Sequence, residues 1–278
     1  MSFDKTIQLF IFDGNPNGRI MCELSNWNGR VYKVSRNDLN ELEKRNDAKH
    51  TGVYFLFGKN ENNDTSVYVG EAENIISRLK QHIADENYWN DAIAVISKDN
   101  LLNKAHVKYL ENEFYTLASE SGRAILVNKS TPTRSSISEY DEAMLKEFVE
   151  NAKLLVNTLG YKVFDLISES TVTTPDEKQV FYIKATRGAM GKGIIVSDGF
   201  AVLKGSVIAD SVTPSFPASS SKRRNMLLES GIIDSNYMFT KDYVFTSPSL
   251  AADIVMGRSA NGLTEWKTET GTPLKDLQ

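Results

Sequence analysis

Six residues have types and spacings suited to proton transfer and anion chemistry: Tyr54, Tyr68, Arg78, His82, Glu111 and Asn128. Tyr54 closes the triplet Gly52-Val53-Tyr54, and Tyr68 opens the triplet Tyr68-Val69-Gly70. Two tyrosines on neighbouring strands can share a face, which sets their phenols side by side. A phenol with a pKa of about 10 is a weak base at neutral pH. A nearby cation or metal-bound water makes proton transfer feasible. Arg78 lies ten residues after Tyr68, and His82 lies four beyond Arg78. Positions i and i+4 share one helix face, so both side chains can aim at one point. A guanidinium holds a phosphate oxygen bidentately and stabilises developing charge. A neutral imidazole shuttles protons or orients water.

The carboxylate candidate is Glu111, within Lys108-Tyr109-Leu110-Glu111-Asn112-Glu113-Phe114. Magnesium takes oxygen ligands, keeps several waters and often needs only one or two protein carboxylates plus a substrate phosphate. One glutamate on a rigid helix therefore suffices. Glu113 competes for the role, but two residues on a helix are about 200° apart, so both cannot face one site. Glu111 shares a stripe with Val107, Phe114 and Ala118 and is preferred; the choice stays open at this point. Asn128 could donate an amide hydrogen to a phosphate oxygen or tie strands together. Each of these residues also has an ordinary reading: aromatics of a strand pair, a solvated helix face, a turn asparagine.

The elements that must position them are legible in outline. Residues 5–12 read as a strand with a partner at Arg19–Leu24, and Val31–Val34 as a short strand. Ser35 reads as the N-cap of a short helix at Asp38–Glu43. Val53–Phe57 and Ser66–Gly70 read as a hairpin joined by the polar turn Lys59–Asp64. Asn74–His82 is predicted helical with Ile75, Ile76 and Leu79 inside. Trp89–Ile96 reads as a loop running into a third strand, followed by a helix at Asn103–Ser119 ended by Gly122 and a strand or extended piece at Ala124–Asn128. Thr131–Ser136 reads as a linker, and Glu139–Leu159 as a long amphipathic helix between domains, closed by Gly160.

The order and approximate spacing of Tyr54, Tyr68, Arg78, His82, Glu111 and Asn128 resemble the GIY-YIG nuclease family over residues 50–130. Val53 and Val69 stand where that family has isoleucine, and both suit a strand. The resemblance implies an α+β protein: a small domain with a three-stranded antiparallel sheet flanked by helices and a single divalent metal, Mg²⁺ or Mn²⁺. It implies Tyr54 as general base or orienter of the attacking water, Tyr68 as its assistant at the phosphate and Arg78 as stabiliser of the transition state. Glu111 would be the metal ligand, Asn128 would complete the site, and His82 falls where some members carry histidine. The expected activity is hydrolysis of DNA phosphodiesters. A non-catalytic phosphate-binding module is the alternative.

The boundaries implied are an N-terminal strand-rich extension (1–48), the nuclease-like domain (49–135), a linker helix (136–162) and a strand-rich α+β domain (163–278). Gly199–Ser206, Phe245–Ala252, Gly257–Gly262 and Trp266-Lys267 resemble an uncharacterised domain found behind such nuclease domains. There, Ser249 reads as a helix N-cap and Gly257 as its C-cap. Lys222, Arg223 and Arg224 end a Pro/Ser-rich stretch that reads as a mobile basic loop able to bind substrate. Trp266 reads as either a core residue or a base-stacking one. Gly188–Gly193 lacks the GxxxxGK[ST] pattern and reads as a turn rather than a phosphate loop.

Composition sets limits. The chain has 278 residues, 41% hydrophobic and 24% charged, which suits a globular protein with room for two domains. No apolar run reaches the roughly 18 residues of a membrane helix, and the N-terminus lacks the pattern of a secretory signal. Cys22 is the single cysteine, which excludes a disulfide framework and fits a cytoplasmic setting. The net charge of −4 argues against strong standing affinity for nucleic acid, so DNA binding would rest on local cations and a metal ion. A protein partner or homodimer stays open, and no membrane partner is expected.

Overall fold

The computed structural model describes residues 4–59, 65–85, 89–166, 179–197 and 199–277. The chain divides into two compact units, one of residues 1–119 and 124–164, the other of 120–123 and 165–278. It is an α+β protein with a seven-stranded mixed sheet, a four-stranded antiparallel sheet and seven α-helices among the described residues. None of these helices is long and apolar enough to cross a membrane.

In the first unit the chain runs β1 (Ile7–Ile11), β2 (Ile20–Leu24), β3 (Gly29–Ser35), α1 (Leu39–Leu42), β4 (Gly52–Lys59) and β5 (Thr65–Ala72). It continues through α2 (Ile75–Asp85), β6 (Trp89–Ser97), α3 (Lys104–Ser121), β7 (Ile125–Leu126) and α4 (Glu139–Thr158). The sheet order is β1-β2-β3-β6-β4-β5-β7, antiparallel except where β7 joins β5 in parallel. The sheet expected to have three strands thus has seven. The strands of the N-terminal stretch pair directly onto β6, residue for residue from Gly29 opposite Ser97 to Ser35 opposite Asp91. The turn expected at 59–64 falls largely outside the described residues.

β4 and β6 are buried along nearly their whole length, so both faces of the sheet are covered. Alternation then sorts the side chains into two cores. Val53, Phe55, Phe57, Val67, Val69, Ile93 and Val95 face Val107, Leu110 and Phe114 of α3 and Leu145, Phe148, Ala152 and Val156 of α4. Tyr54, Leu56, Tyr32, Ala92 and Ala94 face Ile75, Ile76 and Leu79 of α2 and Leu39 and Leu42 of α1. Helix α4 begins at Ser138, whose hydroxyl accepts from the Asp141 amide. It was expected as a connection between domains, yet its apolar face belongs to the first unit's own core. The 131–136 segment stays with the same unit: Asn112 donates to the Pro132 carbonyl, and Arg134 pairs with Glu113 and Glu142. Ser35 does not cap α1. A 3-10 turn at Arg36–Asp38 intervenes, and the Ser35 hydroxyl donates to the Asp38 carboxylate instead.

The second unit runs β8 (Phe181–Lys184), β9 (Met190–Val196), β10 (Gly199–Val202), α5 (Ala218–Glu229), β11 (Tyr243–Phe245), α6 (Pro248–Met256) and α7 (Gly262–Glu265). Its sheet order is β11-β10-β9-β8, and Trp266 lies at the centre of its core with Phe200 and Phe245. Gly188–Gly193 forms the turn between β8 and β9 and the start of β9, with positive φ at Arg187 and Gly188, as a tight hairpin turn requires. Helix α6 is capped by Ser247, not by Ser249. Pro248 occupies the first helical position, where its missing N–H costs nothing, and Gly257 ends the helix in the left-handed region.

A polar cluster braces the first sheet. The Asp47 carboxylate accepts from Tyr32 at 2.6 Å and from Arg30, and Arg45 donates to Tyr32 at 2.8 Å. Burial by itself would raise the Asp47 pKa, but the Tyr32 and Arg30 hydrogen bonds and the charges of Arg45 and Arg30 hold it below the ordinary carboxylate value. A pKa lowered on folding adds stability above the unfolded value that is lost as pH falls through the folded one. Asp47→Asn should therefore cost about 1–3 kcal/mol at pH 7. The gap to wild type should close in acid, below about pH 4, as read by denaturant titration at several pH values.

Candidate active site

The pairing of β4 with β5 sets Leu56 opposite Tyr68 and Tyr54 opposite Gly70, so the two tyrosines share a face on a diagonal. Their rings lie nearly parallel with centroids 6.1 Å apart. Gly70 makes this possible. A Cβ there would sit 2.4 Å from the Tyr54 hydroxyl oxygen, so the phenol occupies the space above the glycine. The other triplet's glycine, Gly52, is equally constrained: a Cβ would come within 2.3 Å of the Val95 carbonyl on the neighbouring strand.

Helix α2 supplies the groups that meet the phenol. The Asn74 side chain accepts from the Ser77 amide and starts the helix. Ile75, Ile76 and Leu79 bury its inner face, and that packing turns Arg78 and His82 toward β4. The Tyr54 hydroxyl lies 2.8 Å from His82 Nε2 and accepts from Arg78 Nε at 3.3 Å. His82 Nε2 accepts the phenol's proton in the Nδ1–H tautomer and donates to the phenol oxygen in the Nε2–H tautomer. The His82 ring is buried, packs 5.1 Å from Tyr68, and has its backbone carbonyl held by the Trp89 indole. Arg36 stacks on Trp89 and donates to the Ile83 carbonyl, which secures the last turn of α2.

The electrostatics follow from burial. Burial, reinforced by Tyr68, pushes the Tyr54 phenol well above its ordinary value, against the opposing pull of Arg78. Tyr54 is therefore a neutral phenol at rest. Burial works to lower the Arg78 pKa, but the Tyr54 and Tyr68 hydroxyls outweigh it and raise the value, so the guanidinium keeps its charge.

Helix α3 packs on the opposite face of the sheet, yet Glu111 is close enough to Arg78 to feel its charge. Strand β5 pairs with β7 only at Ser66 and Val67, and no further strand covers Tyr68–Ala72 among the described residues. Burial and the neighbouring Glu71 push the Glu111 carboxyl up to about 7, while Lys104, Lys108 and Arg78 pull the other way. Glu71 is ion-paired with Lys104 at 2.9 Å. Glu113 points elsewhere and is ion-paired with Arg134 at 3.0 Å. Sequence reasoning missed Glu71 and Lys104. Glu71 directly follows the second triplet, but alternation sends it to the face opposite Tyr68, so only the tertiary placement of α3 brings it to Glu111.

Asn128 does not point at the cluster's charged groups. Its amide nitrogen donates to the Val69 carbonyl at 2.7 Å, and its amide oxygen accepts from the Val69 N–H at 3.0 Å. It thus replaces a missing strand beside the second triplet. The candidates of the second unit are placed within that unit's own fold. The stretch expected as a mobile basic loop forms the start of α5. Arg223 and Arg224 are buried, and Arg224 donates to the Ala209 carbonyl at 2.6 Å; of the three only Lys222 is exposed. Trp266 is fully buried, with its indole N–H on the Pro248 carbonyl, and is closed to any base.

No group of three or more His, Cys, Asp or Glu is placed to hold a metal ion among the described residues. Glu111 and Glu71, the latter ion-paired with Lys104, are the carboxylates that could offer oxygen ligands to a hard divalent cation.

Two outcomes test this geometry. Gly70→Ala should cost about 1–3 kcal/mol through overpacking and should displace Tyr54, which a change in near-ultraviolet circular dichroism would report. Glu111→Gln should stabilise the metal-free protein at pH 8 relative to wild type. A carboxyl raised on folding from 4.5 to about 7 costs nothing below its unfolded value; the destabilisation builds as pH rises between the two values and is complete above about 7. The variant's advantage, on the order of 1–3 kcal/mol, should shrink as pH falls and vanish below about pH 4 in thermal melts.

Residues 181–278 are similar to a family described as a domain of unknown function (DUF4357), in keeping with the uncharacterised C-terminal domain expected from sequence. No curated protein and no solved structure matches the chain.

Proposed function

We propose that this chain is a GIY-YIG-type endonuclease that hydrolyses DNA phosphodiesters with a divalent metal ion, Mg²⁺ or Mn²⁺. The observation that carries the reading is the Tyr54–Arg78–His82 cluster, closed by hydrogen bonds of 2.8 and 3.3 Å, with Glu111, its carboxyl raised to about 7, within electrostatic reach of Arg78. The strands β4, β5 and β6 with α2 and α3 would be the nuclease-like core, embedded in a larger sheet.

In this reading His82 takes the Tyr54 proton as the phenol takes one from the attacking water, so no free phenolate has to form. Arg78 steadies Tyr54 through Nε and uses its remaining N–H donors on the phosphate, where negative charge grows. Tyr68 flanks the same phosphate. Asn128 holds the Val69 backbone and keeps both tyrosines in register. Glu111, assisted by Glu71, would hold the metal. The metal would supply a Lewis-acid contact for the leaving oxygen and lower the pKa of bound water.

The mild net acidity supports a second reading, in which the same cluster holds a phosphate without cutting. Incubation of supercoiled plasmid with Mg²⁺ or Mn²⁺ separates the two. Nicking should fall at least 100-fold in Arg78→Ala, Glu111→Ala and Tyr54→Phe, consistent with losing one charge-stabilising or proton-transfer group. Mg²⁺ should raise the melting temperature of wild type and not of Glu111→Gln, which reads metal binding apart from catalysis. Metal-dependent DNA binding with no cutting on plasmid or branched DNA would leave the non-catalytic reading in place.

A further inference from the structure

Strand β1 ends the seven-stranded sheet and has one neighbour, β2. Exposed edge strands recruit other strands, and proteins ordinarily blunt them with charge, proline or a bulge. β1 reads Ile-Gln-Leu-Phe-Ile and has none of these. Leu9, Phe10 and Ile11 are 50%, 55% and 41% exposed, so nothing among the described residues covers the edge.

The backbone register says what would fit. Thr6 accepts from the Ser25 amide, and the Phe12 amide donates to the Arg19 carbonyl, both at 3.0 Å. Hydrogen-bonding direction alternates along a strand. Thr6, Gln8, Phe10 and Phe12 thus turn their N–H and C=O toward β2, and Ile7, Leu9 and Ile11 turn theirs outward. This edge is complementary to itself. An antiparallel copy centred on Leu9 sets Leu9 against Leu9 and Ile7 against Ile11 in both directions, so every outward group in the strand finds a partner. The same register joins Ile7, Leu9 and Ile11 of both copies into one apolar stripe. In that register Lys5 falls opposite the Asp13–Arg19 ion pair, which carries no net charge.

We infer that β1 is a homodimerisation edge, at which a second copy of this chain adds antiparallel across a two-fold axis at Leu9 to continue the sheet. Two-fold closure uses up the edge in both copies, which stops the growth that an unpaired apolar strand invites. The contact is small by the standard of stable interfaces, so the dimer is expected at micromolar concentrations rather than as an obligate assembly.

Sedimentation velocity across the micromolar range tests the inference on the full chain. Wild type should pass from monomer to dimer. Leu9→Pro should stay monomeric with an unchanged melting temperature, because the N–H it removes points away from β2, where proline is tolerated. If that variant does not fold, Leu9→Lys serves the same purpose by placing two cations at the axis. Leu9→Cys should form a covalent dimer under mild oxidation, since directly opposed residues lie about 5.5 Å apart, within disulfide reach. Gln8→Cys should not cross-link. A wild type that stays monomeric throughout, including one whose edge instead takes a strand from a different protein, would overturn the inference. A dimer that survives both Leu9→Pro and Leu9→Lys would do the same. Neither result bears on nuclease activity.

Discussion

The Tyr54 hydroxyl lies in a core, and a buried hydroxyl without partners costs several kcal/mol in an apolar setting, at the upper end of roughly 2–7. The arrangement around it answers that demand. Arg78 donates to it, His82 Nε2 shares a hydrogen bond with it, and both are presented by one turn of a helix. The helix is held by Asn74 at its start and by Arg36 and Trp89 at its end. Gly70 vacates the space the ring needs. Remove the requirement to satisfy this one oxygen, and the identities at positions 70, 78 and 82 lose their common reason.

The same burial shapes the chemistry. A low-dielectric site raises the phenol's pKa and so removes it as a free base, while the adjacent imidazole offers a proton acceptor that needs no phenolate. Across the sheet, burial and Glu71 raise Glu111 against the pull of Lys104, Lys108 and Arg78. The two effects are complementary. One side of the cluster keeps a phenol neutral, and the other raises a carboxyl toward neutral pH.

The buried polar groups of the second unit are of another kind. Arg224 and the Trp266 indole donate to backbone carbonyls and are consumed by the fold. The first unit treats Arg30 similarly by tying it to Glu23 and Asp47. Arg78 differs in that its nearest partners are neutral: a phenol and the Gln81 amide.

Local pattern made much of this legible. Period-two alternation marked β4 and β5 and put Tyr54 and Tyr68 on one face, and helical spacing put Arg78 beside His82. The Gly257 cap and the Gly188 turn also followed from backbone preference alone. Where the decision lay between segments far apart in sequence, local pattern was silent. Nothing near residue 31 announces that β3 pairs with β6 and enlarges the sheet to seven strands. The Pro/Ser-rich start of α5 reads as a loop, because what makes it helical is burial of Arg223, Arg224 and Leu227 against distant elements. Asn128 could not be assigned as a backbone clamp until β7 was seen to stop after two residues. Glu71 and Glu111, forty residues apart and on different elements, become neighbours only through packing. The sequence alone determined which groups share a face within each element, since backbone geometry repeats every two or 3.6 residues. Which faces meet was decided by the tertiary structure, since long-range burial selects among the pairings that local geometry permits.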